Sequence, residues 1–425
     1  MAHITPSEAL QRMSSASQQG MRLLAAKNKK KAVLQPEFAG SITKDGLLTK
    51  TANTTPLYLF NNGNGGLVLP AYDDINPVLG EFEEGKVNDD LPAHVQAWLS
   101  GYAEEIEWME NGHRLILLED DEVEDKPTAD EPKKDIPYLV KTKWGQLAPF
   151  NNKLVFDGKI MVVGCPAVMV GQLMHYWGTK GYRRGCTATP KYQWKNGPVI
   201  PATPALTKFD YANLPLTKSC TAVQKDAVST MLQKIGYAFL TEYGESASGA
   251  YTTDITKYMP TRLRLGSTIQ YITCDKMGLQ AFVDAVYNEL ANGRPCGFRA
   301  KYTKNGAISG SHAFICDGYR AKDDKYHFNF GWTGSYDGWY AMSAINLTNT
   351  DNYTADKGAW IGINPEYKLG DANRDGEVNI TDVMTTINHS LKSTYDEASD
   401  VNSDGKVTVA DHTPIVNHIL GRDPL

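Results

Sequence analysis

The chain has no long apolar run. Its most hydrophobic stretch, 160–173, is interrupted by Gly164, Pro166, Gly171 and Gln172, and it falls short of the roughly 20 residues a membrane-spanning helix needs. No basic segment followed by an apolar one opens the sequence, so no intact signal peptide is expected in it. The six cysteines, at 165, 186, 220, 274, 296 and 316, show no C-x-x-C spacing, which argues against a zinc site. Lysines and arginines are scattered and form neither a recognition-helix nor an aromatic-platform pattern, which argues against nucleic-acid binding. What is present is the composition of a folded protein. The apolar content is 41% and the charged content 22%, in 425 residues that leave room for two to four domains.

The net charge of −6 is unevenly spread. Residues 1–118 carry 10 basic and 14 acidic side chains, 119–135 carry 3 and 9, 136–368 carry 26 and 16, and 369–425 carry 4 and 10. An acidic head, an acidic hinge, a basic middle and an acidic tail imply separate modules at these boundaries. The hinge has two prolines and almost nothing to bury, so it is expected to be solvated and open to proteolysis. In the head, Leu57–Phe60 and Leu67–Leu69 flank an Asn/Gly turn, a hairpin signature. Val95, Leu99, Tyr102, Ile106 and Met109 then form a helical stripe. The middle reads as helices over 165–177, 223–238 and 276–291, followed by strands at 313–316, 326–330 and 339–342. The fold class is therefore α+β, with a two-lobed middle domain.

The tail contains a repeat. DANRDGEVNITD (371–382) and DVNSDGKVTVAD (400–411) lie 29 residues apart, each followed by a helix-like segment. Asp371, Asn373, Asp375, Asn379 and Asp382, and likewise Asp400, Asn402, Asp404, Thr408 and Asp411, place oxygens at positions 1, 3, 5, 9 and 12, with Gly376 and Gly405 at the turn. Glu377 and Lys406 would add backbone carbonyls. Hard oxygen ligands at this spacing suit Ca²⁺, and two such sites are expected. The pair resembles a type I dockerin module, which implies paired calcium loops and a cohesin-like partner.

In the middle, Cys165 follows Gly164 and opens a helix, where the macrodipole favours a thiolate. Three histidines could serve it. His175 lies ten residues along the same helix, about 15 Å away, and is excluded. His312 stands at a strand mouth, and His327 sits inside a strand on the same face as Asn329. His312 is preferred as base, with Asn329 as orienter, Trp332 as shield and His327 as the less favoured base.

VVGCPAVMVGQLMHYW (162–177), GSHAFICDGY (310–319), HFNFGWTGSYDGWY (327–340) and WGQLAPFN (144–151) together resemble the streptopain family of cysteine peptidases, papain-like in fold. Residues 54–107 resemble that family's inhibitory propeptide. The resemblance implies Cys165 as nucleophile, His312 as general base and acid, Asn329 as orienter and Gln146 as oxyanion donor. Phe330 stands where a tryptophan is usual, and NLTNTDNYTADKG (346–358) replaces a glycine-rich mobile loop. The implied protein is a secreted cysteine endopeptidase made as a zymogen. It would work through a thioester acyl-enzyme, need no cofactor for catalysis, act on protein and peptide substrates, and be cut near Lys133 or Lys134. An inactive binding relative and an amine acyltransferase are the alternatives.

Overall fold

The computed structural model describes residues 2–16, 36–44, 47–52, 55–88, 91–111, 132–195, 197–304, 307–344, 357–423 and 425. The expected acidic hinge therefore lies outside the described residues except for its last four, and segment 346–358 except for its last two. In chain order the helices are α1 (Pro6–Ala16), α2 (Ala93–Glu110), α3 (Cys165–Thr179), α4 (Ala222–Ala238), α5 (Thr252–Thr261), α6 (Cys274–Met277), α7 (Leu279–Ala291), α8 (Ile380–Lys392) and α9 (Val409–Ile419). The strands of the main sheet are β1 (Glu37–Ile42), β2 (Leu48–Thr49), β3 (Leu57–Asn62), β4 (Gly65–Pro70), β5 (Gly80–Phe82), β6 (Gln270–Thr273), β7 (Cys296–Lys304), β8 (Ala307–Arg320), β9 (Lys325–Asn329), β10 (Gly338–Ala341) and β11 (Lys357–Ile361). None of the described helices is long and apolar enough to cross a membrane.

Compactness divides the chain differently from charge. One unit comprises 1–139 and 271–361, the other 140–270 and 362–425. The first is built on an eleven-stranded sheet ordered β6-β11-β7-β8-β9-β10-β5-β4-β3-β1-β2. The head does not stand apart from the second half of the middle. β5 pairs antiparallel with β10, Glu81 opposite Trp339, so strands from both segments form one continuous sheet. Helix α2 turns Val95, Trp98, Leu99, Tyr102 and Ile106 inward across β7 and β8. Trp98 meets Phe328 edge-on at 4.6 Å and Phe314 at 6.0 Å, favourable aromatic geometries in a large shared core.

The expected helix over 276–291 is interrupted. Gly278 adopts φ +79°, a backbone that L side chains rarely take, and it separates α6 from α7.

In the second unit, α3 packs on α4. Thr221 and Gln224 close a capping box at the start of α4. The tail belongs to this unit, around its own small core of Leu369, Val383, Val401 and Ile415. It is tied to the preceding segment by Thr207, whose hydroxyl donates to the Asn402 carbonyl at 2.8 Å. The Arg184 guanidinium lies 4.4 Å from the centre of the Tyr367 ring.

Candidate active site and candidate metal loops

The expected residues divide between the units. Gln146 and Cys165 lie in the second, and His312, Asn329 and Trp332 in the first. Cys165 is the first residue of α3 and is half-buried. Its predecessor Gly164 has φ +90°, and a Cβ there would lie 3.1 Å from the Ser248 carbonyl oxygen, so only glycine suits the approach. Gly164 supplies no capping side chain, and Pro166 occupies the first turn. The positive end of the helix is thus directed at the thiol, which favours the thiolate.

Gln146 is brought near this helix by the main chain. Its carbonyl accepts from the N–H of Val163 at 3.1 Å, two residues before the cysteine. Trp144 fixes the same segment. Its backbone N–H donates to Oε1 of Gln172 at 3.1 Å, and its indole N–H donates to the Pro215 carbonyl at 2.7 Å. Gly171 makes room for that indole, since a Cβ there would lie 3.1 Å from the ring and 2.7 Å from Leu232. The sequence reading used Gln146 and left Trp144, Gly171 and Gln172 without a role. An interior glycine and glutamine in an otherwise apolar helix were the available signal.

None of the six cysteines is in a disulfide. Burial pushes the Cys186 thiol up to about 11 and raises those of Cys274, Cys296 and Cys316, which leaves them protonated and inert. His175, excluded on distance, is packed edge-on against Trp144 at 5.8 Å, and burial holds it down to about 4.

His312 lies on β8 with only 6% of its surface exposed, and its ring is parallel to that of Phe314. Its Nε2 is 2.8 Å from the Phe330 carbonyl oxygen. Donation from Nε2 leaves Nδ1 as the basic nitrogen. Burial lowers the imidazole to about 4, with the bond to Phe330 opposing the shift. The expected orienter was the Asn329 amide; the oxygen found at Nε2 is the next residue's main-chain carbonyl. Asn329 Oδ1 accepts from the Gly331 N–H at 3.0 Å, and Asp337 Oδ1 accepts from the Phe330 N–H at 2.8 Å. Both bonds brace a turn in which Gly331, Thr333, Gly334 and Tyr336 all have positive φ. Half-buried Trp332 sits in this turn. Phe330 was missed because a main-chain acceptor has no side-chain signature, and Asp337 because its carboxylate meets a backbone N–H seven residues away.

His327 is engaged elsewhere. Its Nδ1 is 2.6 Å from Asp317 Oδ1, Tyr138 stacks on the ring at 4.6 Å, and Trp339 meets it edge-on at 5.2 Å. Lys133 and Lys134, expected to be exposed cutting points, are partly tied down. Lys133 pairs with Asp284 at 2.8 Å, and the Lys134 N–H donates to the Tyr287 hydroxyl.

In the tail, carboxylate oxygens of Asp371, Asp375 and Asp382 lie within 4.8 Å of one another. Asp371 Oδ1 is buried with no hydrogen-bond partner. Burial, then the neighbouring Asp382 and Asp375, raise the Asp371 carboxyl. Crowded carboxylates with an orphaned acceptor fit a bound cation. Asp400 is raised likewise by burial and by Asp411. Among the described residues, Asp400, Asp404 and Asp411 do not form an equally tight cluster. Asn379 and Thr408, expected as ligands, cap the N-termini of α8 and α9, each in a capping box with Asp382 or Asp411.

A thiol at the start of a buried helix, a buried imidazole inside a strand and an α+β architecture are the features of a papain-like cysteine peptidase. Residues 144–340 match the Peptidase C10 family, and residues 369–420 match the dockerin type I domain. The thiol protease/hemagglutinin PrtT of Porphyromonas gingivalis is 26% identical over 72% of this chain. The chain spans only 37% of that protein's length. Streptopain of Streptococcus pyogenes is 22% identical over 73% of this chain and 81% of its own. The structure of a fragment of Prevotella intermedia prointerpain A superposes with a TM-score of 0.61, at 25% identity, over 78% of this chain and 99% of that one. Residues 144–340 thus form a C10, or streptopain-family, cysteine peptidase segment, and residues 369–420 a type I dockerin domain.

Proposed function

We propose that the chain is a secreted cysteine endopeptidase made as a zymogen, with Cys165 as nucleophile, His312 as general base and acid, and Gln146 as oxyanion donor. The observation that carries this reading is Cys165 at the N-terminus of α3, with no side chain capping the helix, inside the matched segment 144–340.

The Cys165 thiolate adds to a peptide carbonyl carbon, and the oxygen takes the negative charge. The Gln146 amide and the Cys165 N–H stabilise that charge, a pair of donors worth several kcal/mol in the transition state. His312, oriented from Nε2 by the Phe330 carbonyl, holds the proton on Nδ1 and delivers it to the departing amine, leaving a thioester. Water, giving its proton back to His312, then cleaves the thioester and releases the acid and the thiol. Asn329 supports this by bracing the turn that presents the Phe330 carbonyl, and Trp332 covers the same turn.

Residues 1–118 act as the propeptide, 119–135 as the activation linker, 136–368 as the peptidase and 369–425 as the docking module for a cohesin-like partner. Calcium, when bound, would be held in two loops, by Asp371, Asn373, Asp375, Asp382 and the Glu377 carbonyl, and by the matching residues of the second. It would supply cross-linking of each loop and no catalytic chemistry.

The test is to incubate the matured protein with casein and, separately, with a labelled amine. Peptide release that disappears in Cys165→Ala supports the reading. Amine incorporation in preference to hydrolysis would indicate the acyltransferase, and neither activity an inactive relative.

A further inference from the structure

Among the described residues, the most deeply buried ion pair joining the head to the peptidase segment is made by Glu105, on α2. The Glu105 side chain is fully buried, at 0% exposure. One of its oxygens pairs with Nζ of Lys357, the first residue of β11, itself only 4% exposed. The other accepts from the Ser343 hydroxyl at 2.8 Å and from the Ala344 N–H.

The helix shapes a socket for the lysine. Trp98, Gly101 and Glu105 are spaced 3 and 4 residues apart, which places them on one face of α2. The lysine Nζ lies 5.4 Å from the centre of the Trp98 ring. Its Cε passes 4.0 Å from where a Gly101 Cβ would stand, an ordinary van der Waals separation, so the stem runs along this face of α2. Ring and carboxylate both come from the head, while Lys357, Ser343 and Ala344 come from the other side of the hinge.

We propose that this is the anchor that keeps the head on the peptidase after the hinge is cut. The peptidase segment presents a carboxylate-binding site made of Ser343, the Ala344 N–H and Lys357, and Glu105 is its occupant. The inference rests on the zymogen reading given above.

Cleavage in the hinge removes a covalent connection but none of these bonds. Separating the pieces must part this pair before water can reach either charge, a costlier step than parting a surface pair. Charge attraction between an acidic head and a basic middle, screened beyond roughly 8–10 Å at physiological salt, would speed encounter only. The buried pair controls release. Activation therefore has two steps, cutting and then loss of the head.

The experiment uses the full chain with Cys165→Ala, so that no self-processing occurs and peptidase activity is not the readout. A recognition sequence for a site-specific protease is inserted between residues 124 and 125. After cutting, retention of the head is followed by size exclusion. The head should co-elute with the peptidase, and Glu105→Gln or Lys357→Met should each speed its release at least a hundredfold. Glu105→Met with Lys357→Met should release it more slowly than either single change, because no unpaired buried charge remains. Thermal melts of the uncut chains establish folding. If Glu105→Gln fails to fold, Ser343→Ala, which removes one donor, should speed release about tenfold. Immediate loss of the unsubstituted head on cutting, or variants that hold it as long as the parent does, would overturn the proposal. An inactive enzyme would overturn the peptidase reading and leave this measurement intact.

Discussion

Nε2 of His312 lies 2.8 Å from the main-chain oxygen of Phe330. A carbonyl fixed in a braced turn helps orient the imidazole, and the turn is braced from both ends by Asn329 and Asp337. Replacing Asn329 by Ala should therefore reduce kcat/KM no more than about tenfold, a loss of about 1.4 kcal/mol. Asp337→Ala, which frees the Phe330 N–H, should cost at least as much. A thousandfold loss confined to Asn329→Ala would return the orienting role to the amide.

The two strand histidines should respond differently to substitution. His312→Ala should abolish peptide hydrolysis while the chain stays folded. His327→Ala should leave hydrolysis measurable but lower stability by about 3 kcal/mol, because it takes a charge-assisted partner from the buried Asp317 carboxylate. Denaturant unfolding alongside steady-state kinetics checks both.

Acid should weaken the fold through His175. Its folded value, held near 4 by burial, lies below the ordinary 6.5. The unfolded chain therefore binds the proton more readily between these values. The stabilising contribution is complete above about pH 6.5 and is lost as the pH falls toward 4. His175→Gln should flatten the stability–pH curve in that window when compared with the parent by urea unfolding. An unchanged slope would mean that other groups dominate.

Gly171→Ala should destabilise by about 1–3 kcal/mol, because the new methyl meets Leu232 and the Trp144 ring. It should also lower kcat more than it raises KM, since Trp144 holds the segment that carries Gln146. Equal stability loss with unchanged kcat would separate the packing from the oxyanion site.

Chelation of calcium should destabilise 369–425 and leave hydrolysis of small peptides nearly unchanged. Without a cation, the raised carboxyls of Asp371 and Asp400 repel their neighbours when ionised. The folded tail then binds protons more readily than the unfolded one, so the metal-free tail should gain stability as pH falls. Calcium at about a hundred times its Kd should add about 2.7 kcal/mol per site. Calorimetry of the full chain with calcium and with EGTA, from pH 4 to 7, tests the reversal.

The sequence by itself determined what is encoded over short spans. Gly164-Cys165-Pro166 specifies a helix start, because glycine permits the approach and proline suits the first turn. The hairpin at β3 and β4 and the twelve-residue oxygen-rich loops are equally local, each needing only a turn and a fixed spacing. The strand mouth expected for His312 is not what forms: both histidines lie inside strands, His312 paired with Ala300 in β8, so that distinction was not legible locally. Tertiary structure decided the rest. The pairing of β5 with β10 joins residues more than 250 positions apart through backbone groups that every residue possesses, so no local pattern announces it. The Phe330 carbonyl became the partner of His312 only through the fold of the turn that follows it. Glu105 reads in the sequence as one more charge on an acidic helix. Its burial exists only because Lys357, Ser343 and Ala344 reach it across the chain, and long-range partners are what make such a charge affordable inside a protein.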